Sequence, residues 1–224
     1  MRYKLKAFTL TELLIALGII GAIAALSIPS LMNAINNRMM VTQLKSNITA
    51  IQQLASDSLV TSSSRSLEDT DFGDPAKLLT EGNFAIQKKC PDPAADCWKT
   101  TAATNKIEYK NQMKVVGGIA GATYPSVILK NGTIIGYSKT DSEIKGMPDD
   151  KIIGEFCFDI NGNDYPNIAG RDYFCVYVTK KGKLIDLPDT NINTETKIAN
   201  CKAGIGGSNQ CYGAIVDSGW TMPY

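Results

Sequence analysis

Oxygen-bearing side chains recur at alternate positions in Asp159-Ile160-Asn161-Gly162-Asn163-Asp164, and the loop that follows closes on Gly170-Arg171-Asp172. Carboxylate and amide oxygens on a turning loop suit a hard cation such as calcium, which takes about six to eight oxygen ligands. Asp159, Asn161 and Asn163 fit the opening of an EF-hand-like loop. The match then fails, because glycine falls at the fourth position instead of the sixth and Gly170 occupies the twelfth, where glutamate belongs. Asp164 or Asp172 would have to supply the missing charge. The same residues also read as an Asn-Gly turn joining two strands, its side chains capping backbone groups. Calcium is the one cofactor this pattern suggests.

Other chemistry is thinly represented. There is no histidine, which excludes Ser-His-Asp and Cys-His nucleophilic machinery and any His-ligated zinc site. Paired acids occur (Asp149/Asp150, Asp159/Asp172), but the sequence gives no reason for them to converge, so no enzymatic activity is expected. The net charge of +1 supplies no basic field for nucleic acid. Six cysteines, none in a CxxC pair, favour disulfides in an oxidising compartment. Six cysteines allow 15 connectivities; the expectation is that neighbours pair, Cys90 with Cys97, Cys157 with Cys175 and Cys201 with Cys211.

A third chemical feature is a carboxylate in an apolar setting. Arg2, Lys4 and Lys6 precede Ala7, and an apolar run from Phe8 to Pro29 follows, interrupted by the single charge of Glu12. At about 1.5 Å rise per residue, Leu13 to Ile28 covers roughly 24 Å, and Phe8 to Leu10 supply the rest of a ~30 Å hydrocarbon core. The basic flank predicts a cytoplasmic N-terminus and an exported remainder. A secretory signal peptide would share the basic and apolar regions. Here, however, Glu12 breaks the apolar core, and helical periodicity continues past Pro29 through Leu31, Ile35, Met39, Leu44, Ile48, Ile51 and Ala55.

Lys6-Ala7-Phe8-Thr9-Leu10-Thr11-Glu12-Leu13-Leu14 resembles the prepilin signature of type IV pilins and type II secretion pseudopilins. The resemblance implies a leader of residues 1–7, cleavage between Ala7 and Phe8 by a prepilin peptidase, and N-methylation of Phe8. Ala7 departs from the glycine usual before the cut. The resemblance also identifies Glu12 as the signature glutamate and Pro29 as the helix-kinking proline. A carboxylate in hydrocarbon costs roughly 2.5–3.5 kcal/mol, so Glu12 wants a cation. The new α-amino group of a neighbouring Phe8 would supply it and set the axial register of a filament. Gly18 and Gly21 offer small surfaces for close helix approach.

The remaining elements follow from pattern. Residues 8–60 are expected as one long helix, with 8–30 as its membrane or filament-core part, and residues 61–224 as an exported domain. Thr61 to Ser64 and Glu68 to Asp74 read as loop, and Pro75 to Leu79 as a short helix. Val127–Lys130 and Thr133–Tyr137 flank Asn131-Gly132, a strong hairpin signal. Glu155 to Ile160 alternates as a strand with Phe156 and Phe158 on one face. Tyr173–Thr179 and Lys183–Leu187 form another hairpin around Lys180-Lys181-Gly182. Cys201 and Cys211 bracket a Gly-rich loop.

The predicted fold class is α+β, a long N-terminal helix packed on a C-terminal antiparallel sheet, the lollipop form of the resemblance. The expected function is a structural subunit of a pilus or pseudopilus filament, partnered by copies of itself and other pilin-like subunits. It would reside in the inner membrane with a single span before assembly, and in a periplasmic or extracellular filament afterwards. The alternative is a membrane-anchored extracytoplasmic binding or adhesion module.

Overall fold

The computed structural model describes residues 9–92, 96–98, 123–162, 164, 168–189, 191–203 and 207–224. Helix α1 spans Leu10–Thr61, and the chain divides into two compact units, Met1–Met39 and Met40–Tyr224.

In the first unit the described residues are helical from Leu10 onward, and the helix continues through Pro29. Leucine, isoleucine and alanine favour helix, and no charge interrupts the run between Glu12 and Arg38. Every large apolar side chain here is exposed, from Leu10 (76 %) through Leu26 (83 %) to Met39 (62 %). The helix is long and apolar enough to cross a membrane.

In the second unit α1 becomes one-sided. Val41, Leu44, Asn47, Ile48, Ile51 and Ala55 are buried at intervals of three or four, the stripe of a helix facing a core. Leu31, Ile35 and Met39 continue that spacing in sequence but are exposed, so burial begins only at Val41.

The sheet is a six-stranded antiparallel meander in chain order: β1 (Ile86–Cys90), β2 (Ser126–Leu129), β3 (Ile134–Glu143), β4 (Lys151–Asp159), β5 (Tyr173–Thr179) and β6 (Leu184–Ile185). The turn before β3 carries Gly132 at φ +87°, a conformation an L side chain rarely adopts. The Glu68 to Asp74 stretch, expected as loop, holds two single-turn 3-10 helices, Leu67–Asp69 and Asp71–Gly73. Helix α2 (Pro75–Leu78) follows, capped by the Asp74 side chain.

β4 alternates as its sequence predicts. Phe156 and Phe158 join a cluster with the buried residues of α1, whereas Cys157 joins a second cluster with Trp98, Ile134, Tyr173 and Cys175. Phe156 lies edge-on to Phe72 and Phe84 and tilted against Tyr137, whose hydroxyl donates to the Phe72 carbonyl at 2.8 Å.

β1 was not among the expected strands, and the C-terminal region is more helical than expected. Helices α3 (Thr194–Ala203) and α4 (Gly207–Asp217) flank residues 204–206, which lie outside the described residues. Lys197 of α3 sits 2.7 Å from Asp186 and 2.9 Å from Asp217, nearly buried. Burial opposes its charge, but hydrogen bonds to both carboxylates outweigh that and hold the ammonium above its ordinary range. This triad ties α3 and α4 to the segment after β6.

Because Phe156 is fully buried at the centre of the aromatic cluster, Phe156→Ala should destabilise the domain by about 3–5 kcal/mol. Denaturant unfolding followed by near-UV circular dichroism measures this. A loss below about 1 kcal/mol would contradict the central placement.

Candidate functional site

The end of β4 and the turn before β5 bring two carboxylates together inside the fold. Asp159 and Asp172 are both fully buried. Asp159 accepts from the backbone N–H groups of Asn161 and Gly162, and Asp172 Oδ1 accepts from the Ile168 N–H at 2.6 Å. The carbonyl of Asp172 receives the Ile160 N–H at 2.8 Å, so backbone joins the two acids as well. Asn161 donates through Nδ2 to the Asp164 carbonyl. Among the described residues, Asp172 Oδ2 and Asn161 Oδ1 are buried without a hydrogen-bond partner. Asp164 is exposed, and Asn163 lies outside the described residues.

The electrostatics follow from that burial. Loss of solvent pushes Asp159 well above the usual carboxylate range, and the nearby charges of Asp172 and Asp164 push it further. Burial pushes Asp172 up to about 7, against backbone N–H groups that pull it down. Two buried acids close to one another, with Asp172 Oδ2 lacking a partner among the described residues, are stabilised by a shared proton or by a cation. The donor set is all oxygen, which fits calcium rather than a soft metal. Asp159, Asp172 and Asn161 would hold it, with Asp164 at the margin.

The loop is anchored on its far side by sulfur. Cys201 and Cys211 form a disulfide joining α3 to α4. Gly170 has φ +85°, and a Cβ there would run into the Cys211 sulfur, so only glycine fits. The hydroxyl of Tyr224 donates to the Gly170 carbonyl at 2.6 Å. Cys90 pairs with Cys97. Cys157 pairs with Cys175 directly across β4 and β5, and this bond rules out its sulfurs as metal ligands beside Glu155. Glu155, which sequence reasoning passed over, accepts instead from the Tyr124 hydroxyl at 2.6 Å and Asn209 Nδ2 at 3.1 Å. Nothing in its local sequence signals those distant partners.

At the N-terminal end, Glu12 Oε2 accepts from the Thr9 backbone N–H at 2.9 Å and the Thr9 hydroxyl at 2.8 Å. Thr9 Oγ1 in turn accepts the Glu12 N–H at 3.2 Å. This reciprocal arrangement is a capping box at the start of α1. Its sequence signal is the spacing Thr9-x-x-Glu12. Gly18 and Gly21 have nothing within 4 Å of where a Cβ would stand, so a second helix can approach them. Ala7 and Phe8 lie outside the described residues.

No protein-family model, no curated protein and no solved structure matches this chain.

The folded-state pKa of Asp172 lies above its ordinary value of 3.8, so the native protein holds the extra proton. The stability this contributes is complete below about pH 4 and is lost as pH rises towards about 7, by up to about 4 kcal/mol. Chelator-treated protein should therefore lose thermal stability between those pH values, and Asp172→Asn should flatten the fall. Superimposable pH profiles for the two proteins would contradict the assignment.

Proposed function

We propose that this chain is a subunit of a helical filament of the type IV pilin or pseudopilin kind. In this reading residues 1–7 are a leader removed before Phe8, and Phe8 is then N-methylated. Residues 8–30 first span the inner membrane and then enter a filament core, partnered by copies of the chain and by other pilin-like subunits. The observation that carries it is the apolar segment of α1, exposed on all sides, with one carboxylate at its N-terminal end. Such a surface needs a cover, first lipid and then neighbouring helices. Three disulfides suit an exported domain. No catalytic role is proposed.

Glu12 is the assembly residue in this reading. Its capping bonds to Thr9 would be made equally well by glutamine, but its charge would not. The partner for that charge is the α-amino group of Phe8 in a neighbouring subunit. We also propose a calcium ion at the Asp159/Asp172 centre, where it would neutralise the buried carboxylates and fix the loop.

Glu12→Gln keeps the cap and removes the charge. It should leave membrane insertion intact and reduce the yield of sheared filaments by at least about tenfold, which quantitative blotting of filament and membrane fractions would measure. Wild-type filament yield from this variant would sink the register role. Absence of the unmodified chain from purified filaments would instead favour the anchored binding module. Intact-mass measurement of the mature chain tests the processing. The expected mass corresponds to a first residue Phe8, one added methyl group, and the loss of one hydrogen for each paired cysteine; a mass that includes residues 1–7 would refute it.

A further inference from the structure

Ile160 stands between Asp159 and Asn161, and both of its backbone polar groups are engaged. Its N–H goes to the Asp172 carbonyl. Its carbonyl accepts from Gln43 Nε2 at 2.9 Å and from Thr133 Oγ1 at 3.2 Å. Gln43 also donates to Thr133 Oγ1 at 3.0 Å, and Asn47 donates to the same oxygen at 3.3 Å. Asn131 closes the group by donating to Asn47 Oδ1. Gln43 and Asn47 are four residues apart on α1 and so share one face of that helix. Asn47 and Thr133 are buried, so these bonds have little water to fall back on.

We propose that this polar cluster couples the Asp159/Asp172 centre to the seating of α1 on the sheet, with the Ile160 carbonyl as the shared contact. The coupling rests on the cation reading given above. A divalent cation between the two carboxylates fixes the turn of residues 159–162. That turn sets the direction of the Ile160 carbonyl, and the carbonyl orders Gln43, Thr133 and Asn47 together. Without the cation, two buried acids crowd one loop, and the carbonyl's position is less strongly determined. The affected part of α1 is its stretch from Val41 to Ala55, the part that packs in the domain core.

Linkage makes the coupling reciprocal: if the cation tightens α1, then α1 contacts must tighten the cation by the same factor. Gln43 and Thr133 are not candidate ligands, yet their removal should weaken binding. A purely structural role for them would lower stability and leave affinity alone.

The test uses the full chain in detergent micelles, with calcium ions or chelator. Hydrogen exchange of peptides covering residues 41–55 should slow at least about fivefold when calcium is added. Titration calorimetry should show Gln43→Leu binding calcium at least about fivefold more weakly, and the calcium effect on α1 exchange should disappear. Thr133→Val should behave alike, and provides the measurement if Gln43→Leu does not fold. Calcium binding by the unaltered protein with no change in α1 exchange would overturn the coupling while leaving the cation site standing. Unchanged calcium affinity in both variants would overturn it too. No calcium binding by the unaltered protein would refute the cation reading itself, and the coupling with it.

Discussion

The period-two alternation of β4 is the constraint on which the domain depends. Phe156 and Phe158 face the core that receives α1, and Cys157 faces the opposite side, where it meets Cys175 of β5. Asp159 continues the Cys157 face and pairs in register with Ile134 and Tyr173, both members of that second cluster. A slip of one residue would exchange the two sets, taking the phenylalanines out of the core that receives α1 and driving Asp159 into it. The disulfide between directly opposed residues of β4 and β5 holds the register that prevents this. The core and the acid pair are therefore consequences of one placement.

That placement explains how the fold tolerates two buried carboxylates. Asp159 and Asp172 lie at the ends of adjacent strands, where the chain turns and backbone N–H groups point inward unused by the ladder. Each carboxylate takes such donors, and Gly170 lets the turn close against the Cys201–Cys211 disulfide. Donors lower the cost of burying charge without removing it, which is why both acids stay above their ordinary range. The Lys197 triad, by contrast, brings its own cation to Asp186 and Asp217. The domain holds two buried groups of acids, one of them ion-paired to a buried lysine.

Much of this was legible in the sequence, for identifiable reasons. Local patterns carried the long helix, the Asn131-Gly132 hairpin, the β4 alternation and the short helix at Pro75, because each is decided by residues close in the chain. β1 was not legible because Gln87, Lys88 and Lys89 expose their side chains on an edge strand and leave no alternation. α3 is obscured by a glycine-rich junction and by weak apolar periodicity, and is held by the disulfide and the Lys197 triad, whereas α4 buries Cys211, Tyr212, Ala214 and Ile215. Asp159 and Asp172 stand out in the sequence through the oxygen-rich pattern of their loop. The bond that joins Gln43 to the Ile160 carbonyl spans 117 residues, and no motif encodes it.

Glu12 poses the sharpest energetic question. Its bonds to Thr9 offer a local reason for the residue, and a capping interaction is worth about 1 kcal/mol. A charge in hydrocarbon costs roughly 2.5–3.5 kcal/mol, so the cap alone would leave the helix worse off than an uncharged residue would. Glutamine would serve the same capping box at a smaller desolvation cost. The pairing proposed above, of Glu12 with a neighbouring α-amino group, would resolve this, because a full opposite charge offsets the desolvation of the carboxylate. In that proposal the capping geometry would have a second use, because it holds Oε2 against Thr9 and so orients the carboxylate at the helix start before an ammonium group meets it.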